Sequence, residues 1–473
     1  MNSEQTDSPS RAFDLIVIGG GPAGSCGALT AATFGKKVVL VEMTGMLGGA
    51  GINTGTIPSK TLRESALLLS GWRMRKLLGL AVSKREEATL SDFTHHELHV
   101  KTVVRREAEA RFHQAHIERI AGRAKFLGPN TVHVAQNDGS ETVLRAEKIL
   151  VATGSSPMHP PEFPFEHPRV HDSNEILEIT AMPRSIAVVG AGVIGAEYAC
   201  TFAALGVEVH LIDGRDSLLP FLDAEVSAAI THEMKIAGVK FHWNERVAKC
   251  DAPSEGEVRL TLASGAEISV SDVLVAAGRS SNTDSLDIAA AGLTAGKRGL
   301  LNVDAHFRTE VPSIYAAGDV VGPPALASTG MEQARVAMCA AFDLAKKETS
   351  PLLPTGIYTI PEASMVGETE QSLKTKGVDY VVGRAQYQDN ARGRIIGDER
   401  GFLKLLFRRG DMRLLGVHVV GEQATEVIHI GLMAMHCDAS AELFSRVCFN
   451  YPTLGDLYKY AAYDAVVRSL HAR

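Results

Sequence analysis

Two glycine clusters carry the residue types that suit phosphate binding. Gly19, Gly21 and Gly24 in GGGPAG, and Gly190, Gly192 and Gly195 in GAGVIG, fill the G-x-G-x-x-G spacing. Missing side chains at those positions permit a tight turn, close approach of the backbone to a pyrophosphate, and close packing of the next helix on the preceding strand. An acid follows each cluster at the same interval, because Gly19 to Glu42 and Gly190 to Asp213 both span 23 residues. At that offset a carboxylate accepts hydrogen bonds from an adenosine ribose. An ordinary turn supplies glycines, but not the glycines, the acid and the interval twice over. Two bound dinucleotides are expected.

The surrounding elements are of the kind needed to place these groups. Phe13 to Ile18 is an apolar run short enough for a buried strand, SCGALTAATFG reads as helix, and Lys37 to Val41 forms a second strand ending at Glu42. The order returns as Ile186 to Val189, a helix containing Glu197, and VEVHLI ending at Asp213. Each helix then points its N-terminus at the phosphates. Later strands run into glycine turns at Thr153-Gly154 in ILVATGSSP and at Gly278-Arg279 in VLVAAGRSSN. A further apolar strand, Ser313 to Ala317, leads into Gly318-Asp319, which leaves a carboxylate at the end of a strand where α/β sheets bind ligands. The segment MEQARVAMCAAFDLA follows as helix. Beyond the polar KKETSP at residues 346 to 351, the alternation in VDYVVGRAQY, FLKLLFRR and LLGVHVVG reads as a β meander with terminal helices. The fold class is therefore α/β, two dinucleotide-binding (Rossmann-like) domains with a C-terminal α+β domain.

Composition excludes other classes. At 473 residues the chain can bury several cores. Lys and Arg number 48 against 55 Asp and Glu, a net charge of -7 with both signs interspersed, which offers no basic surface for nucleic acid. Cys26, Cys200, Cys250, Cys339, Cys437 and Cys448 are scattered without a close pair, so neither a metal ligand set nor a disulfide framework is expected. The start MNSEQTDSPSRA lacks the basic and apolar parts of a secretory signal, and no apolar run approaches the roughly 18 residues of a membrane span. A soluble protein of the reducing cytoplasm, with no membrane partner, is the expectation.

In order along nearly the whole chain stand FDLIVIGGGPAG, GGAGINTGTIPSK, VATG, GAGVIGAEYA, AAGR, AAGDV and NYPT. In these motifs the sequence resembles the two-dinucleotide flavoprotein family that contains lipoamide dehydrogenase, glutathione reductase and mercuric reductase. The resemblance implies a disordered tail at 1–12, an FAD-binding domain whose first part is 13–156, an NAD(P)-binding domain at 157–281, a central segment at 282–348 on the FAD side, and a dimerisation domain at 349–473. It implies FAD, NAD and NADP as cofactors, and a homodimer or a larger homo-oligomer.

The departures from that family are informative. Its disulfide reductases carry two cysteines in G-G-x-C-x-x-x-x-C-x-P-S-K, whereas Gly51 and Thr56 hold those positions here. Disulfide exchange needs a thiolate, and neither residue supplies one. Where those enzymes place His-Pro-Thr and a Glu to shuttle protons, this chain has Tyr451 and Asp456. The Thr in GTIPSK, the Tyr in NYPT, and the stretches RDSLLPFLD, GIYTIPEASMVGETE, GRAQY, ARGRIIG and EVIHIG are similar to the transhydrogenase branch of the family. That branch keeps the first cysteine where Gly51 stands, and a neutral residue is expected at Asp213 in an enzyme that handles a 2′-phosphate.

The implied reaction is hydride transfer from NADPH to NAD+ through flavin N5, without a redox disulfide. By the resemblance, Lys60 lies beside the flavin and pairs with Glu197, and Thr56, Tyr451 and Asp456 complete the catalytic set. Cofactor contacts are expected from Gly19, Gly21, Gly24, Glu42, Thr153, Gly154, Gly190, Gly192, Gly195, Gly278, Arg279 and Asp319. Asp213 favours a free ribose 2′-hydroxyl, while Arg215 could fork onto a 2′-phosphate. Two other readings stay open: an NAD(P)H dehydrogenase acting on a quinone or another acceptor, and a non-catalytic FAD-binding interaction protein.

Overall fold

The computed structural model describes residues 11–71, 89–344 and 350–471. The first ten residues of the expected tail, and residues 345–349 around the expected KKETSP boundary, lie outside the described residues. The chain divides into two compact units.

One unit takes Met1–Thr61, His95–Met158 and Gly278–Ser350. At its centre Arg11–Ile18 pairs in parallel with Val38–Glu42 on one side and Glu141–Val151 on the other, and Ile314–Ala316 continues the sheet in parallel. Strands covered on both faces need unbroken apolar runs, and Leu15, Ile16, Val17, Val39 and Leu40 are fully buried. Glu118–Gly128 starts parallel to Val38–Glu42, then continues as an antiparallel ladder with Thr131–Gln136. Its inward residues alternate with exposed ones, as a strand with one wet face requires.

Two expectations are corrected in this unit. The first strand begins at Arg11, so residues 11 and 12 belong to the sheet rather than to a tail; Arg11 pairs with Leu144 and its guanidinium meets Glu118. The boundary expected after residue 281 falls earlier, because Arg279–Ser281 pairs antiparallel with Ser155–Pro157 and so belongs to this unit.

The other unit takes Leu62–Thr94, His159–Ala277 and Pro351–Arg473. Its parallel sheet runs in the order Lys240–Trp243, Glu208–Asp213, Ser185–Val189, Asp272–Val275, Val170–Asp172. A three-stranded antiparallel sheet, Val247–Asp251, Val258–Leu262 and Glu267–Val270, buries Val258, Leu260 and Val270 against Ala187, Ile212 and Val273. The terminal sheet is antiparallel and has five strands, in the order Thr355–Ile357, Ala363–Gly367, Leu414–Val420, Phe402–Arg408, Tyr380–Gln386. The expected meander supplies three of them. The other two are three and five residues long, too short to show alternation in sequence.

Residues expected as separate second and last domains pack together in this unit. Leu211, Val226 and Ile230 share a core with Ile357, Ile360 and Phe402. The Lys404 ammonium, 1% exposed, meets Asp223 at 2.7 Å, Glu370 at 2.5 Å and Glu225 at 3.0 Å. Burying that charge is tolerable because carboxylates surround it. Residues 62–71 and 89–94, expected in the first domain, also belong to this unit. Leu67 joins the same core, and buried Arg63 donates to the Thr359 carbonyl at 3.0 Å and faces Glu362 at 3.3 Å.

Candidate dinucleotide sites

In the first unit the glycine turn is fixed by its backbone. Gly19 has φ +104°, and a Cβ there would lie 2.4 Å from the Ala152 carbonyl oxygen; a Cβ on Gly24 would lie 1.9 Å from that of Gly19. Neither position admits a side chain. Gly21 is the N-cap of helix Pro22–Thr33, which no side chain caps. The helix N-terminus, with its unsatisfied N–H groups and positive dipole end, therefore suits a phosphate. Glu42 closes the strand Val38–Glu42. Its Oε2 accepts the Gly20 N–H at 2.7 Å, and its Oε1 accepts the Thr44 N–H and hydroxyl at 3.0 Å each.

The other predicted residues of this unit also follow carboxyl ends of parallel strands. Among the described residues the buried Thr153 hydroxyl has no hydrogen-bond partner, which is costly unless a bound group satisfies it. Gly154 follows with φ +69° and open space where a Cβ would be. The Ser155 hydroxyl donates to Asp319 Oδ2 at 2.6 Å, while Arg279 donates through Nε to the Ser155 Oγ at 2.8 Å and through a terminal nitrogen to its carbonyl at 2.6 Å. Gly278 and Arg279, expected on the second dinucleotide domain, thus belong to the first unit. Ser155 links two predicted residues and was not itself predicted, since a serine after a glycine turn carries no distinguishing signal. These glycines, the unpartnered threonine and the uncapped helix fit a dinucleotide such as FAD.

The stretch that holds cysteines in disulfide reductases folds as two helices, Gly49–Asn53 and Thr56–Leu69. A Cβ on Gly51 would lie 2.5 Å from Cγ of Pro22, the first residue of helix Pro22–Thr33. A side chain at 51, cysteine included, would have to displace that proline. Asn53 is pinned by Arg105, which donates to its Oδ1 at 2.6 and 3.2 Å. Thr56 is exposed, and Lys60, half-buried four residues on, shares its helix face.

In the second unit the device recurs in atomic detail. Gly190 has φ +107°, with a Cβ position 2.4 Å from the Ala276 carbonyl oxygen, and a Cβ on Gly195 would lie 1.8 Å from that of Gly190. Gly192 is the uncapped N-cap of helix Val193–Ala204, with open space around it. Asp213 Oδ2 accepts the Ala191 N–H at 2.6 Å, just as Glu42 accepts that of Gly20.

Asp213 differs from Glu42 in its cation. Arg215 donates to Asp213 Oδ1 from its N–H and from Nε, both at 2.8 Å, and to Oδ2 from a terminal nitrogen at 2.7 Å. Burial alone would raise the Asp213 pKa, but the Arg215 guanidinium and the two backbone N–H groups outweigh it and bring it to about 2. The carboxylate is ionised and its charge is already paired.

The remaining predicted residues of this unit are dispersed. Glu197 is 6% exposed and its Oε1 accepts the Tyr358 N–H at 2.9 Å. Tyr451 is 76% exposed, whereas Asp456 is buried in the turn Leu454–Asp456. Among the described residues no hydrogen bond joins these two, so within one chain they do not form a proton-shuttling pair.

Comparisons with known proteins match nearly the whole length of the chain. The family described as pyridine nucleotide-disulphide oxidoreductase matches residues 13–341, and its dimerisation domain matches residues 353–462. Among similar proteins, the soluble pyridine nucleotide transhydrogenase of Mycobacterium tuberculosis (strain ATCC 25177 / H37Ra) is 43% identical over 460 residues, covering 96% of this chain and 97% of that one. The soluble pyridine nucleotide transhydrogenase of Colwellia psychrerythraea is 39% identical over 463 residues, covering 96% and 98%. Among solved structures, LpdA from Mycobacterium tuberculosis superposes with a TM-score of 0.88 at 28% identity over 95% of this chain and 99% of that one. The HOCl-induced flavoprotein disulfide reductase RclA from Escherichia coli, as a Cu(II) complex, gives 0.87 at 26% identity over 96% and 99%.

Proposed function

We propose, for a chain that belongs to the pyridine nucleotide-disulphide oxidoreductase family, that it is an FAD-dependent NAD(P)+ transhydrogenase moving hydride between NADPH and NAD+ without a redox disulfide. The observation that carries this reading is the pair of complete dinucleotide devices in a chain with Gly51 and Thr56 at the cysteine positions. Bound FAD would supply a centre that takes hydride from one nicotinamide and gives it to another.

The protein's own residues bind and orient. In the unit built on Arg11–Ile18, Gly19, Gly21 and Gly24 would let a pyrophosphate reach the first turn of the helix, Glu42 would accept from an adenosine ribose, and Thr153 and Asp319 would contact the remainder of FAD. In the other unit, Gly190, Gly192 and Gly195 would take the nicotinamide dinucleotide in the same way. Lys60 would pair with Glu197 beside the flavin ring, the role that the resemblance in sequence implies for both. Thr56 occupies the place of a thiol, where it cannot exchange with disulfides. Tyr451 and Asp456 stand at the positions of the proton-shuttling pair, a role that hydride transfer does not need.

The last domain supports a homodimer. Tyr460, Tyr463, Val467 and Leu470, one face of helix Leu457–His471, are exposed in the protomer and would be covered by pairing. All six cysteines are free, which suits the reducing cytoplasm proposed as its compartment. No helix among the described residues is long and apolar enough to cross a membrane.

A steady-state assay tests the reading. NADPH should reduce thio-NAD+, while lipoamide and oxidised glutathione stay at background. Quinone reduction without thio-NAD+ reduction would replace transhydrogenation by a dehydrogenase activity. Inactivity with every acceptor would leave a binding protein.

A further inference from the structure

Two dinucleotide devices leave one nicotinamide site for two substrates. If FAD occupies the first, NADPH and NAD+ must use the second in turn, though they differ at the adenosine ribose by a phosphate of about -1.5 to -2 charge. A bare Asp213 would favour the hydroxyl and repel the phosphate. Asp213 is not bare. Its two oxygens already accept from four donors, three of them on Arg215, and a carboxylate has about four acceptor positions. Arg215 turns two of its five side-chain N–H donors onto that carboxylate and so screens its charge.

A second arginine borders the turn. The loop after strand Lys240–Trp243 is tied to it by two backbone bonds, Asn244 N–H to the Arg215 carbonyl at 3.0 Å and Glu245 N–H to the Asp213 carbonyl at 3.1 Å. The Arg246 side chain then crosses Gly214 so closely that a Cβ there would lie 2.9 Å from its Nε and 3.7 Å from its Cζ. Gly214 is what lets the guanidinium lie against the turn. Arg246 is exposed, and among the described residues no carboxylate forms an ion pair with it. Its neighbour Glu245 faces the Ser264 N–H at 3.3 Å.

We propose that Arg246 takes the 2′-phosphate of NADP(H), while Arg215 screens Asp213, so that one turn admits both nicotinamide dinucleotides. This rests on assigning the second device to the nicotinamide substrates. Arg246 lies 33 positions beyond Asp213 in sequence, outside the strand-end loop where a phosphate reader is sought, and only the fold brings it alongside.

The test uses calorimetry on the FAD-loaded protein with 2′,5′-ADP and 5′-AMP, two probes that differ by the phosphate in question. Arg246→Ala should weaken 2′,5′-ADP by roughly ten- to a hundredfold, the range of a charge-assisted hydrogen bond, and leave 5′-AMP within about twofold. Arg246→Lys should keep part of the phosphate affinity as a point charge without the planar fork. An unchanged preference in Arg246→Ala, or equal losses for both probes, would overturn the role of Arg246 and leave the second device as the nicotinamide site. Failure of the native protein to bind either probe would instead remove the assignment of that device, and the inference with it.

Discussion

Replacing Gly195 by alanine should weaken nicotinamide binding severalfold to about a hundredfold or more while FAD stays bound. The added Cβ would sit 1.8 Å from the Gly190 carbonyl oxygen. That obstacle is backbone and cannot rotate away. Helix Val193–Ala204 must then move off its strand, carrying its N-terminal N–H groups away from the pyrophosphate. Overpacking of this kind costs about 1 to 3 kcal/mol or more, which is roughly five- to a hundredfold or more in affinity. Gly24→Ala makes the matching collision, at 1.9 Å from the Gly19 oxygen, in the other unit. It should strip FAD instead. Flavin absorbance after gel filtration, NADPH titration and circular dichroism of both variants separate a local defect from unfolding. Native NADPH affinity in Gly195→Ala, or loss of FAD from that variant alone, would contradict the assignment of the two devices.

Lys60→Met should slow reduction by NADPH and leave FAD in place. Glu197 is buried and its Oε1 accepts the Tyr358 N–H, and in the proposed pair Lys60 would supply the opposite charge. Removing one partner of a buried ion pair costs about 3 to 5 kcal/mol, because the other charge is left uncompensated. Lys60 is only half-buried, so solvent offsets part of this and a loss near or below the lower bound, up to roughly a hundredfold in rate, is expected. Stopped-flow absorbance gives the rate. Lys60→Met/Glu197→Gln should be less impaired than the sum of the single changes if the two residues pair. A wild-type rate in Lys60→Met would make Lys60 a surface charge.

Much of the dinucleotide geometry could be read from residues close in sequence. The interval from Gly19 to Glu42 places the acid one strand away from the turn, and the Gly20 N–H to Glu42 bond shows that strand and turn meet as the spacing requires. The same holds for Gly190 and Asp213. What was not legible depends on contacts between distant segments. The Ser155 link between Arg279 and Asp319 joins three strand ends, and its serine looks like any loop residue. By sequence order Arg279 reads as part of the second domain, since it follows a strand of that domain, whereas its pairing with Pro157 ties it to the first unit. Gly51 reads in sequence as a missing cysteine, and the structure adds a steric reason, the Pro22 ring. Asp213 and Arg215 read as opposed votes on the 2′ position, but their mutual bonds make them one neutral group.

Electrons should pass between pyridine nucleotides with no thiol in the path. An anaerobic titration of the FAD-loaded protein with NADPH tests it most directly. With Gly51 and Thr56 at the cysteine positions, uptake should end at two electrons per FAD, with no long-wavelength thiolate band. Uptake of four electrons per FAD, or such a band at two, would contradict the account and require a second redox centre.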